Sequence, residues 1–559
     1  MVTKFLRLLG KEVGGLHQAA YLLGIFAFGS QILALVRDRL LAHQFGAGSA
    51  LDVYYAAFRI PDFIFTTVGS IVALSVIIPF FVERLERNRE EAREYLDHIC
   101  SFFFVLITGV SIVAFFLMPF LSKILFPGFT GKEYNELVFL SRILLLSPIL
   151  LGLSNIFGAI TQSFRRFFIY SLSPIVYNLG IIFGIVLLSP IFGVRGVVFG
   201  LILGAALHAG VQLPFIISQK MTPRPRLHFF TPTIKKSVLL SIPRTIALGS
   251  SHIASLVLIA YASTFAVGSI AVFVFAFNLQ SIPLTIIGVS YSLATFPTLA
   301  RAFSKGDHAQ FLTHISAATR HIIFWSLPIM GLFIVLRAHI VRVILGSGAF
   351  NWSDTRLTAA TFALFTISVV FQSLILLFAR GMYAMGKTIL PLIANLLGAG
   401  VIVACAFLFV WVFRTSPSVT HFVTQTLRVD DLGGTSVLML ALAFSAGSAF
   451  NCAVLWVAFQ KRFPTFTPLV GKTLVQSVVA SLLGGIAAYI TLNLTDNAVN
   501  LNSFFGILSH GVGAGIVGGA VWYFLLFLFK NHELSEITST LKRKIWKTNV
   551  VGPAPEVTL

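Results

Sequence analysis

The sequence predicts an all-α, polytopic membrane protein, and three observations predict it. Its 559 residues are 57% hydrophobic and only 11% charged. The apolar residues fall into about fourteen runs, each near the roughly 20 residues that a helix needs to cross a bilayer. Most Lys and Arg residues lie in the gaps between those runs. No soluble fold accommodates so much apolar sequence. Function must therefore be sought in the few polar groups placed inside the membrane.

In chain order, the spans are expected near 16–36, 51–82, 99–121, 137–160, 168–190, 194–218 and 237–262. The rest are expected near 265–300, 318–344, 357–379, 388–413, 435–459, 472–493 and 503–530. The second and eighth are long, and each is interrupted by Pro and Gly. No cleavable signal peptide is expected, because the first run lacks a small-residue cleavage site and leads into charged sequence. Residues 1–15 carry Lys4, Arg7 and Lys11 among apolar neighbours and are expected to lie along the inner interface. Glu83–Asp97 mixes charge signs at helical spacing, which predicts a solvated cytoplasmic helix. The tail after Lys547 reads as short, polar and disordered.

About two thirds of the 40 Lys and Arg fall on the side that holds both termini, which makes that side cytoplasmic. The net charge of +20 is spread along the same side. There it reads as topology signal and attraction to anionic lipid, not as nucleic-acid binding. Cys100, Cys405 and Cys452 are isolated, which predicts neither a disulfide framework nor a metal site.

Two segments echo each other. Ala57-Phe58-Arg59 is matched by Ala276-Phe277-Asn278, and Pro174–Asn178 by Pro391–Asn395, at nearly the same offset. That offset covers six spans, an even number, so both copies insert the same way up. The predicted architecture is two six-helix bundles, 16–218 and 237–460, related by a pseudo-twofold axis along the membrane normal. A cytoplasmic linker, 219–236, joins them; two extra helices, 461–530, and a cytoplasmic tail, 531–559, follow. Rocking one bundle against the other would give alternating access to a cleft between them.

The polar groups inside the spans are the candidate machinery. Arg37-Asp38-Arg39 ends the first span, and Asp52 and Arg59-Ile60-Pro61-Asp62 lie in the second. Asp52 and Arg59 should share a helix face about 10 Å apart, and Pro61 permits a bend beside the arginine. Arginines in a wet cleft suit an anionic, multi-oxygen ligand, because guanidinium offers planar paired donors to phosphate. The alternative for Arg37 and Asp38 is a structural pair locking the first two spans, and Arg39 reads as a solvated or headgroup-level charge. Arg244 is a second candidate cation, unless it snorkels to the inner interface. His208 and His252 stand alone in apolar helices and suit hydrogen-bonded packing. Asn178 and Asn395 are expected to bridge helices, and the rows Gly196, Gly200, Gly204 and Gly511, Gly515, Gly519 to let helices approach closely.

Three strings, SQILALVRDRLLAHQFGAGSALDVYYAAFRIPDF, GVRGVVFGLILGAALHAGVQLPF and YAMGKTILPLIANLLGAG, are together specific. In them the chain resembles the MurJ (MviN-type) lipid II flippases of the multidrug/oligosaccharidyl-lipid/polysaccharide exporter superfamily. The likeness extends over most of the length, including the 6+6+2 arrangement. It implies a bacterial cytoplasmic-membrane transporter, not an enzyme, that moves an undecaprenyl-pyrophosphate-linked peptidoglycan precursor from the inner to the outer leaflet. It further implies that the diphosphate enters a cationic cavity while the prenyl tail lies along a groove formed by the last two helices. Arg37, Asp38, Asp52 and Arg59 match family motif positions, with Arg37 and Arg59 as the cavity cations. No cofactor is expected, and coupling to an ion or to the membrane potential is left open. The expected partners are the lipid-linked oligosaccharide, membrane lipids and cell-wall synthesis proteins, around a monomer.

Four departures thin the expected charge. Gln31 and Asn278 replace family arginines, Gln280 replaces an acidic partner, and His252, Ala254 and Leu258 replace the usual Asn-containing pattern of span seven. Lys387 stands where the family often has an acid, and it is expected to occupy the vacated cation position; transport that still requires sodium would refute this. Alternatives to a lipid II flippase are a flippase for another lipid-linked oligosaccharide, a small-molecule exporter of the same superfamily, or a non-transporting scaffold for cell-wall synthesis. A drug exporter should carry buried acids rather than arginines. A glycosyltransferase would need paired carboxylates or a metal site, and neither is visible.

Overall fold

The structure, a computed structural model, describes residues 16–72, 74–226, 230–500 and 503–546. The expected interfacial segment 1–15 and the end of the tail, 547–559, lie outside the described residues. Among the described residues all regular structure is helical, and eleven helices are long and apolar enough to cross a membrane. Of the other expected spans, the first is helix Leu16–Phe45 and the seventh is helix Pro232–Ala262. The second is a series of pieces.

Those pieces are Ser49–Ala57, Arg59–Val68, a 3-10 stretch Gly69–Val72, and Leu74–Arg87. Pro61 has no N–H to give the carbonyl of Ala57, so the ladder lapses at Phe58, immediately before Arg59. It resumes where the Asp62 N–H meets the Phe58 carbonyl at 2.9 Å. The eighth expected span is likewise interrupted: Ser269–Pro283 runs into a π-helical stretch, Leu284–Val289, before Ser290–Ser304. Both long spans are thus broken at their Pro and Gly residues.

Glycine rows let helices touch. A Cβ on Gly200 would stand 2.3 Å from the Gly184 Cα, which leaves room for hydrogen only. In the last span the contact residue is Gly518, whose Cβ would lie 2.7 Å from the Gly484 carbonyl, whereas Gly519 faces nothing within 4 Å. With 3.6 residues per turn, a stripe through 511 and 515 continues as well to 518 as to 519.

The stretch expected as one solvated helix, Glu83–Asp97, is two. One helix ends at Arg87, and Asn88 caps the next, Arg89–Leu125, by accepting from the Glu90 N–H at 3.0 Å. Asp97 is 1% exposed and holds the linker: its Oδ1 accepts from the Arg224 N–H at 2.7 Å and its Oδ2 from Arg226 Nε at 3.4 Å.

By compactness the chain forms two units. One takes in the described residues up to Leu279, with Val341–Phe365 and Leu392–Phe450; the other takes in Gln280–Ile340, Thr366–Pro391 and the described residues from Asn451. This division does not follow the expected 16–218 and 237–460 bundles. Within the second unit the start of the expected tail is a helix, His532–Trp546, set against the bundle. Leu534 is buried with Phe324, Ala480 and Leu526. Buried Glu533 accepts from Arg320 Nε at 2.6 Å and from Thr473 Oγ1 at 3.0 Å.

Candidate functional site

In the first unit a polar network joins helices Leu16–Phe45, Phe167–Phe183 and Ser269–Pro283. Arg37 donates from Nε and Nη2 to Asp38 Oδ1 at 3.0 and 2.8 Å, and from Nη1 to Asn178 Oδ1 at 3.5 Å. Asn178 donates onward to Ser30 Oγ at 3.2 Å. The second oxygen of Asp38 accepts from Asn278 Nδ2 at 2.9 Å. Asp38 is only 4% exposed. A buried carboxylate is tolerable only when its lone pairs are used and its charge is balanced, and this one meets both conditions.

Aromatic hydroxyls surround the network. Tyr54 and Tyr55 sit with ring centroids 5.2 Å apart, and the Tyr55 hydroxyl is buried with no hydrogen-bond partner among the described residues. Arg37, Asp38 and Arg59 all lie within electrostatic reach of Tyr55, and Tyr177 is within reach of Arg37 and Asp62. Arg59 opens the helix that follows the break, and its Nε is buried with no hydrogen-bond partner among the described residues. Its neighbour Asp62 is engaged by His252 Nδ1 at 3.4 Å, and Thr66 Oγ1 lies 3.3 Å from the other ring nitrogen. His252, expected in hydrogen-bonded packing, thus bridges Asp62 and Thr66. His208 does sit in a packing role, 2.6 Å from Ser154 Oγ.

Asp52 is not brought into this group. It is 5% exposed, and its oxygens accept from the Gly268 N–H at 2.6 Å and the Ala271 N–H at 2.8 Å. It therefore caps helix Ser269–Pro283, whose first N–H groups need acceptors and whose dipole favours an anion there. The break at Phe58 also ends the shared helix face expected for Asp52 and Arg59. Arg39 is not a solvated charge: its Nη1 donates to the carbonyls of Val343 and Ile344 at 2.5 and 3.2 Å, the last turn of helix Arg337–Leu345. Orphan carbonyls at a helix end suit a cation, which is what drew it there. The Arg244 side chain lies outside the described residues. Lys387 is exposed in the turn before helix Ile389–Thr415. In the second unit Gln280 accepts from Gln372 Nε2 at 3.1 Å. Among the described residues no cluster of His, Cys, Asp or Glu could hold a metal ion.

The first unit closes at one end of its helices by backbone contact. A Cβ on Gly128 would lie 1.7 Å from the Ser263 carbonyl. Gly268, at φ +90°, would place one 2.1 Å from the Ala47 carbonyl, so both space and conformation require glycine there. Ser49 adds a hydrogen bond to Glu133 nearby.

Comparison with known proteins places this arrangement. The family profile described as "Lipid II flippase MurJ" matches residues 41–509. The chain belongs to the MurJ family. A probable lipid II flippase MurJ of Rhizobium tropici is 24% identical over 530 residues, covering 92% of this chain and 95% of that protein. One of Aquifex aeolicus is 25% identical, covering 94% and 96%. A solved lipid II flippase MurJ in an inward closed conformation superposes with a TM-score of 0.72 at 22% identity, over 91% of this chain and all of the other. An inward-facing multidrug-resistance MATE transporter of the MOP superfamily gives 0.62 at 15% identity, over 79% and 95%. The fold is thus that of MurJ and MATE transporters, and the relatives are named as flippases, not enzymes.

In this member of the MurJ family, Asn278 fills the position of an expected cavity arginine and holds Asp38 instead. Sequence reasoning missed Ser30, Tyr55 and Tyr177. Tyr55 could have been found as a polar-tipped side chain in the same expected span, between Asp52 and Arg59.

Proposed function

We propose that this chain is a flippase carrying an undecaprenyl-pyrophosphate-linked peptidoglycan precursor, lipid II, from the inner to the outer leaflet of the bacterial cytoplasmic membrane by alternating access. A diphosphate headgroup faces a barrier of several kcal/mol in hydrocarbon, so it needs a polar route. The observation that carries this function is Arg59: a guanidinium at a helix break, with a buried Nε that has no hydrogen-bond partner among the described residues. An unused buried donor on a cation is costly unless a ligand takes it. Arg37, which like Arg59 lies within electrostatic reach of Tyr55, is neutralised by Asp38, and Asp38 is also held by Asn278. A diphosphate can therefore draw Arg37 away while Asp38 keeps a partner, so the site need not hold an unpaired charge between cycles. Closure through Gly268 and Gly128 would be the outer gate, and the backbone contacts there would part as the cavity turns outward. Arg244, at the inner end of its span, would be an auxiliary cation.

The test is leaflet exchange of a fluorescent lipid-linked precursor by the purified protein in liposomes. Arg59→Ala should slow exchange at least about tenfold, the loss of one charge-assisted contact, with thermal unfolding unchanged. Exchange at the wild-type rate in that variant would remove Arg59 from the site. No exchange by the wild-type protein would favour a scaffold.

A further inference from the structure

A second site, unrelated to the polar network, lies on the flank of the first unit. Helix Arg89–Leu125 and the helices Gly131–Leu144 and Leu146–Ser163 bound a groove of about 810 Å³, within the roughly 300–1,000 Å³ of small-ligand sites. Its walls are apolar, and Phe116, on its edge, is 72% exposed. The single charged side chain lining it is Arg142.

Arg142 has one structural duty. Pro119 cannot donate to the Phe115 carbonyl, and Arg142 Nε does so instead at 3.1 Å, with its guanidinium 4.6 Å from the Phe115 ring centroid. Its two Nη groups have no hydrogen-bond partner among the described residues. Two further groups await a partner. Ser111, 5% exposed, and Thr108 line the groove with buried hydroxyls that make no hydrogen bond among the described residues. Ser111 lies four residues, about 6 Å along the helix, before Phe115, and Ile149 lies in the helix that follows that of Arg142.

We propose that this groove binds one anionic phospholipid. The phosphate sits on the Arg142 Nη groups, an ester carbonyl accepts from Ser111, and an acyl chain runs past Ile112 and Leu146 to Ile149. The charge pattern selects this occupant: an apolar trough with a cation at one end matches a lipid with a phosphate at one end. No acid lines the groove to receive the ammonium of a zwitterionic headgroup. The site does not depend on what the protein transports.

Native mass spectrometry of the full-length protein titrated with phosphatidylglycerol or phosphatidylcholine tests it. One phosphatidylglycerol should bind about tenfold more tightly than phosphatidylcholine, the worth of one charge-assisted contact, and Arg142→Gln should abolish the preference. Leu146→Trp, which fills the acyl path and leaves Arg142 in place, should remove binding of both lipids. Equal affinity for the two lipids, or unchanged phosphatidylglycerol binding in either variant, would overturn the proposal. If Arg142→Gln does not fold, Leu146→Trp decides alone.

Discussion

Asp38 and Asp52 make the most instructive pair in the molecule. They lie close in sequence, are buried to the same degree, and each has both carboxylate oxygens in use. Asp38 is held by side chains, Arg37 and Asn278; Asp52 is held by backbone N–H groups at the start of another helix. Side chains can swing to another partner at the cost of rotamer changes. A helix terminus cannot release its cap without leaving donors unsatisfied. One aspartate can therefore change partners, while the other is a fixture of the fold.

Mutations can break this contrast. The largest effect is expected from Asp52→Ala, which leaves two buried N–H groups without acceptors; about 3 kcal/mol of stability should be lost, read as a lower thermal midpoint. An unchanged midpoint would mean that Asp52 does not cap the helix. Asp38→Asn removes the charge that balances Arg37 and should cost about 2 kcal/mol. If Asp38 trades partners, lipid exchange should persist in this variant wherever it stays folded. If the pair is only a brace, exchange should fall in step with stability. Asn278→Ala removes one hydrogen bond to the carboxylate, about 1 kcal/mol, with Arg37 still paired. A loss as large as that of Asp38→Asn would show that Asn278 matters as much as the arginine.

How legible these features were follows from where their partners lie. Bilayer-spanning helices satisfy their own backbone, so hydropathy and Pro61 were enough to predict the helices and the break in the second span. The Arg37–Asp38 pair was legible as neighbours in sequence. The cap at Asp52 and the Arg39 contact were not, because their partners are backbone atoms, which carry no residue signature. Asp97 looked solvated because its run of charges looked solvated, yet it turns inward to fasten the linker. Asp62 and His252 each looked solitary; only the fold brings them together.

The ion pair of Arg320 with Glu533 has a practical consequence. Cutting the chain after Lys530 would remove Glu533, leaving a guanidinium beside Thr473 with nothing to neutralise it, and would uncover the bed in which Leu534 rests. Affinity tags and fusion partners therefore belong beyond Trp546, and a truncated version should leave the membrane less robust than the whole polypeptide.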